Sequence, residues 1–172
     1  SELMDNAMAY QKQQRYEEAL GQLESLLALD PQNNRALIEK DTLEDMRARF
    51  AGGFAECDLV VSTAGVSVGD HDFVHAALDA LGINRVFWKV RMRPGSPLAF
   101  GTVGGVPWIG LPGNPVSTMV CFELFVRPAI LKMQGHTALF RRVIPVVTDE
   151  VVRIGARLTH FLRAVVREEG GA

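Results

Sequence analysis

Three stretches of this 172-residue sequence carry side chains suited to holding an anion. The first is Val60-Val61-Ser62-Thr63-Ala64-Gly65-Val66-Ser67-Val68-Gly69-Asp70-His71-Asp72, a β-branched run leading through small residues into a helix start. A strand that turns into a helix through glycines offers backbone N–H groups and a positive dipole end to a phosphate. Ser62, Thr63 and Ser67 add hydroxyls, while Gly65 and Gly69 permit close backbone approach or positive φ. The plainer reading is an ordinary connection in which Asp70 or Asp72 caps the helix.

The second stretch is Phe87-Trp88-Lys89-Val90-Arg91-Met92-Arg93-Pro94-Gly95-Ser96-Pro97. Lys89, Arg91 and Arg93 alternate, so on a strand they share one face. Three like charges on one face suit a phosphate or oxyanion ligand. They equally suit a solvated edge strand whose charge deters aggregation. The third stretch is Gly110-Leu111-Pro112-Gly113-Asn114-Pro115-Val116-Ser117. Two prolines stiffen the chain around Gly113, Asn114 is an N-cap, and Pro115 suits the first turn of a helix. A rigid loop at a strand's carboxyl end is where open α/β sheets build mononucleotide sites, although a well-capped tight turn reads the same way.

The surrounding pattern supplies elements to position these groups. Strands are expected near 58–63, 86–90, 97–103 and 106–110, and helices over 42–54, from about Asp72 to Gly82, and from Pro115 onward. Pro128 should kink or end the last helix. Strands alternating with helices predict an α/β fold with an open, mostly parallel sheet and ligands at the strands' carboxyl ends. Residues 143–152 and 158–166 read as a β-rich tail, a hairpin or part of a small β unit.

Before residue 35 the pattern is helical. Leu3, Ala7 and Tyr10, then Tyr16, Ala19, Leu20, Leu23, Leu26 and Leu27 recur at helical spacing around a polar turn. This hairpin of about 34 residues resembles a tetratricopeptide repeat, most clearly in Arg15-Tyr16-Glu17-Glu18-Ala19-Leu20. One such unit cannot bury its apolar face alone, so it must dock on the rest of the chain or on another molecule. Three zones follow: a hairpin over 1–34, an incomplete α/β domain over 35–138, and the start of a small β domain over 139–172.

Composition narrows the classes. Lys+Arg number 18 against 20 Asp+Glu, for a net charge of −2, and 48% of residues are hydrophobic. That balance fits a globular core, with no basic run for nucleic acid or a membrane surface. No apolar stretch approaches the ~20 residues of a membrane span, and no signal peptide opens the chain, so a cytoplasmic protein is expected. Cys57 and Cys121 both read as buried thiols. His71 and His75 stand four apart without a third ligand at metal-site spacing, and Glu123 pairs naturally with Arg127 at i+4.

Taken together, the segment from about Asp41 to Gly135 resembles the molybdopterin-binding domain of molybdopterin molybdenumtransferases, bacterial enzymes related to the gephyrin E domain. Asp58-Leu59-Val60-Val61 with Gly65–Asp72 looks like the glycine-rich signature of that family. Phe87-Trp88-Lys89, Arg93-Pro94-Gly95, Leu111–Ser117 and Phe122–Pro128 are similar to its later blocks, and Thr159–Arg163 resembles the opening of its C-terminal β domain. The resemblance implies molybdenum cofactor biosynthesis: molybdate is inserted into adenylylated molybdopterin, AMP is released, and Mg2+ takes part. It also implies Asp72, Lys89 and Arg93 as catalytic groups. Ser62, Thr63, Gly65, Ser67, Gly69, Pro112, Gly113, Asn114, Pro115 and Ser117 would then be pterin-binding, and Asp72 with Asp41 would be magnesium ligands. A small-molecule pterin would be the partner, in a homodimer or other oligomer whose sites draw on both subunits, with no nucleic acid and no membrane.

The chain departs from the family at several points. Ala64 stands in place of a glycine, Arg93 in place of lysine, and Ser96 where a basic residue is common. The family's Ser/Thr-Gly-Asp-Glu strand is absent, and the helical hairpin stands there instead. A truncated or chimeric member is therefore expected. Its alternative role is an inactive molybdopterin-binding fold whose hairpin mediates protein interaction.

Overall fold

A computed structural model describes residues 2–12, 15–63, 73–154 and 157–167. Two helices, α1 (Glu2–Lys12) and α2 (Tyr16–Leu29), form the expected hairpin. The next helix, α3 (Asn34–Glu56), is longer than the 42–54 expected. Asn33 caps it by accepting from the Ala36 amide at 3.1 Å, and nothing between Asn34 and Gly52 breaks it. Asp41, expected ahead of this helix, is thus an exposed residue in its second turn.

The hairpin docks on the rest of the chain. Met4, Ala7, Leu23 and Leu26 share one core with Ala36 and Leu43 of α3 and with Ala76 of α4 (Phe73–Ala80). The apolar face that one helical pair cannot cover by itself is therefore covered internally.

Four strands make the main sheet: β1 (Val60–Thr63), β2 (Asn84–Phe87), β4 (Ala99–Val103) and β5 (Val106–Leu111), in the order β1-β5-β4-β2. The α/β class and the open sheet hold. Its parallel part is the β1–β5 pair, while β5–β4 and β4–β2 are antiparallel, so the sheet is mixed rather than mostly parallel. The reason lies in Gly104 and Gly105, both at positive φ, which close a two-residue hairpin between β4 and β5 and force reversal.

Helices cover both faces of this sheet. Trp108 and Ala99 meet Phe50, Val74, Ala77 and Leu78 of α3 and α4. Ile109 and Leu111, pointing the other way by the period of two, meet Cys121 and Val126. Burial on both sides explains why β5 is apolar almost throughout.

Residues 115–133 form one helical rod in three parts. Between α5 (Pro115–Cys121) and α6 (Arg127–Met133) lies a π-helical turn, Phe122–Val126, in which the Arg127 amide reaches back to the Phe122 carbonyl. Pro128 has no amide to give its i−4 carbonyl, and the wider turn just before it absorbs that defect. The expected kink therefore appears as a π turn, and the helix continues past Pro128.

The tail differs from expectation. Residues 143–152 form no strand and are exposed, so the hairpin with 158–166 is not made. Among the described residues of the tail only β6 (Thr159–His160) pairs, in parallel with the short β3 (Met92–Arg93). Arg141 holds Glu123 through two bonds of 2.7 and 3.0 Å, a tighter contact than Arg127 at 4.0 Å. Cys57 is exposed because it lies at the helix end, whereas Cys121 is buried as read.

Leu43 is fully buried where the hairpin core meets α3. Leu43→Ala should cost about 2–5 kcal/mol. In urea unfolding followed by far-UV circular dichroism, a loss below about 1 kcal/mol would contradict a docked hairpin.

Candidate functional site

The parallel pair β1–β5 sets the geometry. Its register places Ser62 opposite Gly110 and Thr63 opposite Leu111, so both strands end level. Ser62 and Thr63 of the first stretch therefore end beside Gly110 and Leu111, where the Pro112–Ser117 loop leaves the carboxyl edge of β5. Gly65, Ser67, Gly69 and Asp72 lie outside the described residues.

Ser62 does not point to that edge alone. Its Oγ accepts the Trp108 indole N–H at 3.1 Å, which ties β1 to β5 by a side-chain bond. Thr63 is exposed at the strand end. Pro112 is buried, while Gly113, Asn114 and Pro115 are exposed. Asn114 caps α5 by accepting from the Ser117 amide at 3.2 Å, and the Ser117 hydroxyl stands 3.4 Å from the same oxygen. Thr118 donates its hydroxyl to the Pro112 carbonyl and also lies 2.9 Å from that of Asn114. These bonds lock the loop. They also consume donors: Pro115 has no amide and Ser117 spends its own on the cap.

The cationic stretch is built differently from the expected strand face. Phe87 ends β2, and beyond it in this stretch only Met92–Arg93 is β structure, so Lys89 and Arg91 lie outside any strand. Arg91 reaches the carbonyl of Arg157 at 3.0 Å and serves the tail. Lys89 and Arg93 are exposed, and among the described residues neither has an ion-pair partner. Two cations, not three, are available to a ligand.

Packing holds this stretch at both ends. At its start Trp88 lies against Trp108, with ring centroids 6.0 Å apart. His75 meets the Trp88 ring at 3.5 Å, and the Arg85 guanidinium sits 5.1 Å over it. Arg85 also pairs with Asp79, whose carboxyl is pushed up by burial and pulled back by that arginine. Farther along, Ser96 accepts from the Val90 and Leu98 amides at 3.0 and 2.9 Å, closing the loop around a cis Arg93–Pro94 bond. Gly95, at φ +101°, is buried against Cys121 of α5. A Cβ there would stand 2.4 Å from the Cys121 sulfur. Burial pushes the Cys121 thiol up to about 11, so it packs as a neutral side chain rather than a nucleophile.

Sequence reasoning missed these supports. His75 and Arg85 hold Trp88 at the start of the loop and Cys121 seats Gly95; of these only the burial of Cys121 was read from the sequence. Asp41 is exposed on α3, and among the described residues no three His, Cys, Asp or Glu side chains gather as a metal cluster. Of the two magnesium ligands expected, Asp41 therefore stands in no such cluster and Asp72 lies outside the described residues.

An open α/β sheet whose adjacent parallel strands end level defines the general class. A family model described as "Probable molybdopterin binding domain" matches residues 22–132, and the chain belongs to that family. Among curated relatives, a molybdopterin molybdenumtransferase of Haemophilus influenzae is 43% identical over 105 residues, covering 58% of this chain and 26% of the relative. One from Staphylococcus aureus is 36% identical over 126 residues, covering 73% of this chain and 30% of the relative. The chain thus spans between a quarter and a third of these relatives. A solved structure, the molybdopterin biosynthesis MoeA protein from Pyrococcus horikosii, aligns with TM-score 0.45 and 29% identity, over 52% of this chain and 22% of that one.

Gly95→Ala should destabilise the fold by about 2 kcal/mol or more in denaturant unfolding, since the new methyl group meets both strain and sulfur. An unchanged midpoint would mean the loop is not seated on α5. His75 supplies a pH signature. Burial, then the nearby Arg85 charge, lower its imidazole from 6.5 to about 4. The folded state therefore binds fewer protons than the unfolded one between those values. Stability is full above pH 6.5 and falls by up to about 3 kcal/mol as pH drops through 4. His75→Gln should flatten that part of the stability profile.

Proposed function

We propose that this domain binds adenylylated molybdopterin across the carboxyl ends of β1 and β5 and serves insertion of molybdate with release of AMP. The observation that carries this reading is the level ending of Thr63 and Leu111 within the matched family segment. It sets Ser62 and Thr63, which precede the glycine-rich stretch in sequence, beside the start of the Pro112–Ser117 loop. Lys89 and Arg93 are the cations for the ligand's phosphates and for molybdate.

The division of labour follows from the donors left over. Cleavage of a pyrophosphate that frees AMP concentrates negative charge on the departing phosphate oxygens. Lys89, as a mobile point charge, can follow that charge, whereas the planar Arg93 guanidinium can grip two oxygens at once. Pro112, Gly113, Asn114 and Pro115 act as a stiff wall, because their conformation is fixed before ligand arrives. Asp72 is the acidic group carried by family resemblance, and magnesium is assigned to it on the same ground alone. The interaction-module alternative gains nothing from the hairpin, whose apolar face is already used by α3 and α4.

Isothermal titration of the chain with adenylylated molybdopterin tests the reading. Lys89→Ala and Arg93→Ala should each weaken binding about 10- to 100-fold, the worth of one charge-assisted hydrogen bond. Binding that is absent from the unaltered chain, or indifferent to both variants, would overturn it.

A further inference from the structure

Three bonds join the tail to the cationic stretch. The Arg91 guanidinium donates to the Arg157 carbonyl at 3.0 Å. The Thr159 and Phe161 amides donate to the carbonyls of Arg91 and Arg93 at 3.0 and 2.9 Å. Between the two arginines Met92 is buried in the core that holds Ile109, Leu111 and Cys121. By the period of two, Arg91 and Arg93 stand on the other side of the chain, where both are exposed. The tail runs along the edge of this segment, with β6 as the ladder partner of β3 among the described residues.

The chemistry of this clasp is selective. Residues 87–97 and 157–163 contain five Lys and Arg side chains and no Asp or Glu, so none of the three bonds is an ion pair. A carboxylate would hold Arg91 equally well, but it would also cancel the positive field that an anion needs. Amides and carbonyls fix the path of the chain and leave its charge standing. The clasp is also separate from the packing that makes the fold. None of residues 157–161 belongs to the three apolar cores of the described residues. A segment held by exposed backbone bonds alone opens locally while the rest stays folded.

We propose that residues 157–161 act as a strap that positions Lys89 and Arg93, so that anion affinity depends on the strap being closed. Arg91, Thr159 and Phe161 are positioning residues, since their bonds go to the backbone of the loop or of the tail. The inference rests on the reading that Lys89 and Arg93 hold the ligand's phosphates. Apparent affinity then scales with the fraction of molecules whose strap is closed. By linkage, a bound anion favours the closed strap by the same factor.

Thr159→Pro and Phe161→Pro each remove one amide and no charge, and circular dichroism should show the fold kept. In isothermal titration with inorganic pyrophosphate, each should raise the dissociation constant about three- to tenfold. The slope of its logarithm against log salt should stay as in the unaltered chain, whereas Lys89→Ala should flatten that slope. Val165→Pro, at an exposed tail position beyond the strap, should change neither quantity. In the unaltered chain, saturating pyrophosphate should slow hydrogen exchange at the Thr159 and Phe161 amides by the same factor. Proline variants that bind as tightly as the unaltered chain overturn the strap, as do strap amides indifferent to pyrophosphate or an unaltered chain that does not bind it. Repeating the series with adenylylated molybdopterin separates the two readings. Binding weakened by Lys89→Ala and Arg93→Ala but not by the proline variants overturns the strap alone. Strap-dependent pyrophosphate binding by a chain that ignores adenylylated molybdopterin overturns the pterin reading alone.

Discussion

The carboxyl edge of the β1–β5 pair depends on one buried indole. Trp108 is fully enclosed, and an indole N–H in that position costs about 1–3 kcal/mol if it finds no acceptor. Ser62 supplies the acceptor, and by doing so fixes β1 against β5 beyond what the four-residue ladder provides. The same ring packs on Trp88, which begins the cationic stretch, and on the core shared with α3 and α4. One side chain thus sets the relative positions of the strand ends and of Lys89.

On the opposite face of the sheet the corresponding constraint is a missing side chain. Gly95 lets the loop settle on Cys121, in contact that any Cβ would prevent. The indole and the absent methyl act from the two sides of one sheet. Between them, the cationic stretch keeps a defined path with only two residues of β structure. An exposed loop held by packing at both ends loses little entropy when a ligand orders it, which is the usual advantage of a preformed site.

How much of this was legible in the sequence follows from what each residue type can report. The reversal at Gly104-Gly105 was passed over in favour of a mostly parallel sheet, whereas Asn114-Pro115 announced a cap and a helix start because those residues act on their own backbone neighbours. The helical hairpin was legible for the same reason. The parallel contact between β1 and β5 was inferred only as a class of arrangement, since register depends on partners 48 residues apart. The tail was misread because β-branched composition signals strand propensity without saying whether a partner strand is present. Asp41 was misplaced because helix starts rest on caps, and Asn33, not the residues near 41, is the cap in use. Alternation of Lys89, Arg91 and Arg93 implied one face only if a strand formed there. The tail carbonyl that claims Arg91 comes from residue 157, beyond the reach of any local pattern.

The use of donors at the Pro112–Ser117 loop bears on how an anion would be held. A helix N-terminus attracts anions through its first free amides and its dipole. Here Pro115 has none, and Asn114 takes that of Ser117, so the cap competes with a ligand for the same group. Rigidity is gained where direct donation is lost. Neutralising a phosphate or molybdate then falls to groups not already committed. Of the cations nearby in sequence, Arg85 is paired with Asp79 and Arg91 with the tail. Lys89 and Arg93 are what remains, and their exposure leaves them hydrated until a ligand displaces that water. Affinity for an anion built this way should be steep in ionic strength, because exposed charges are screened within about 8–10 Å at physiological salt.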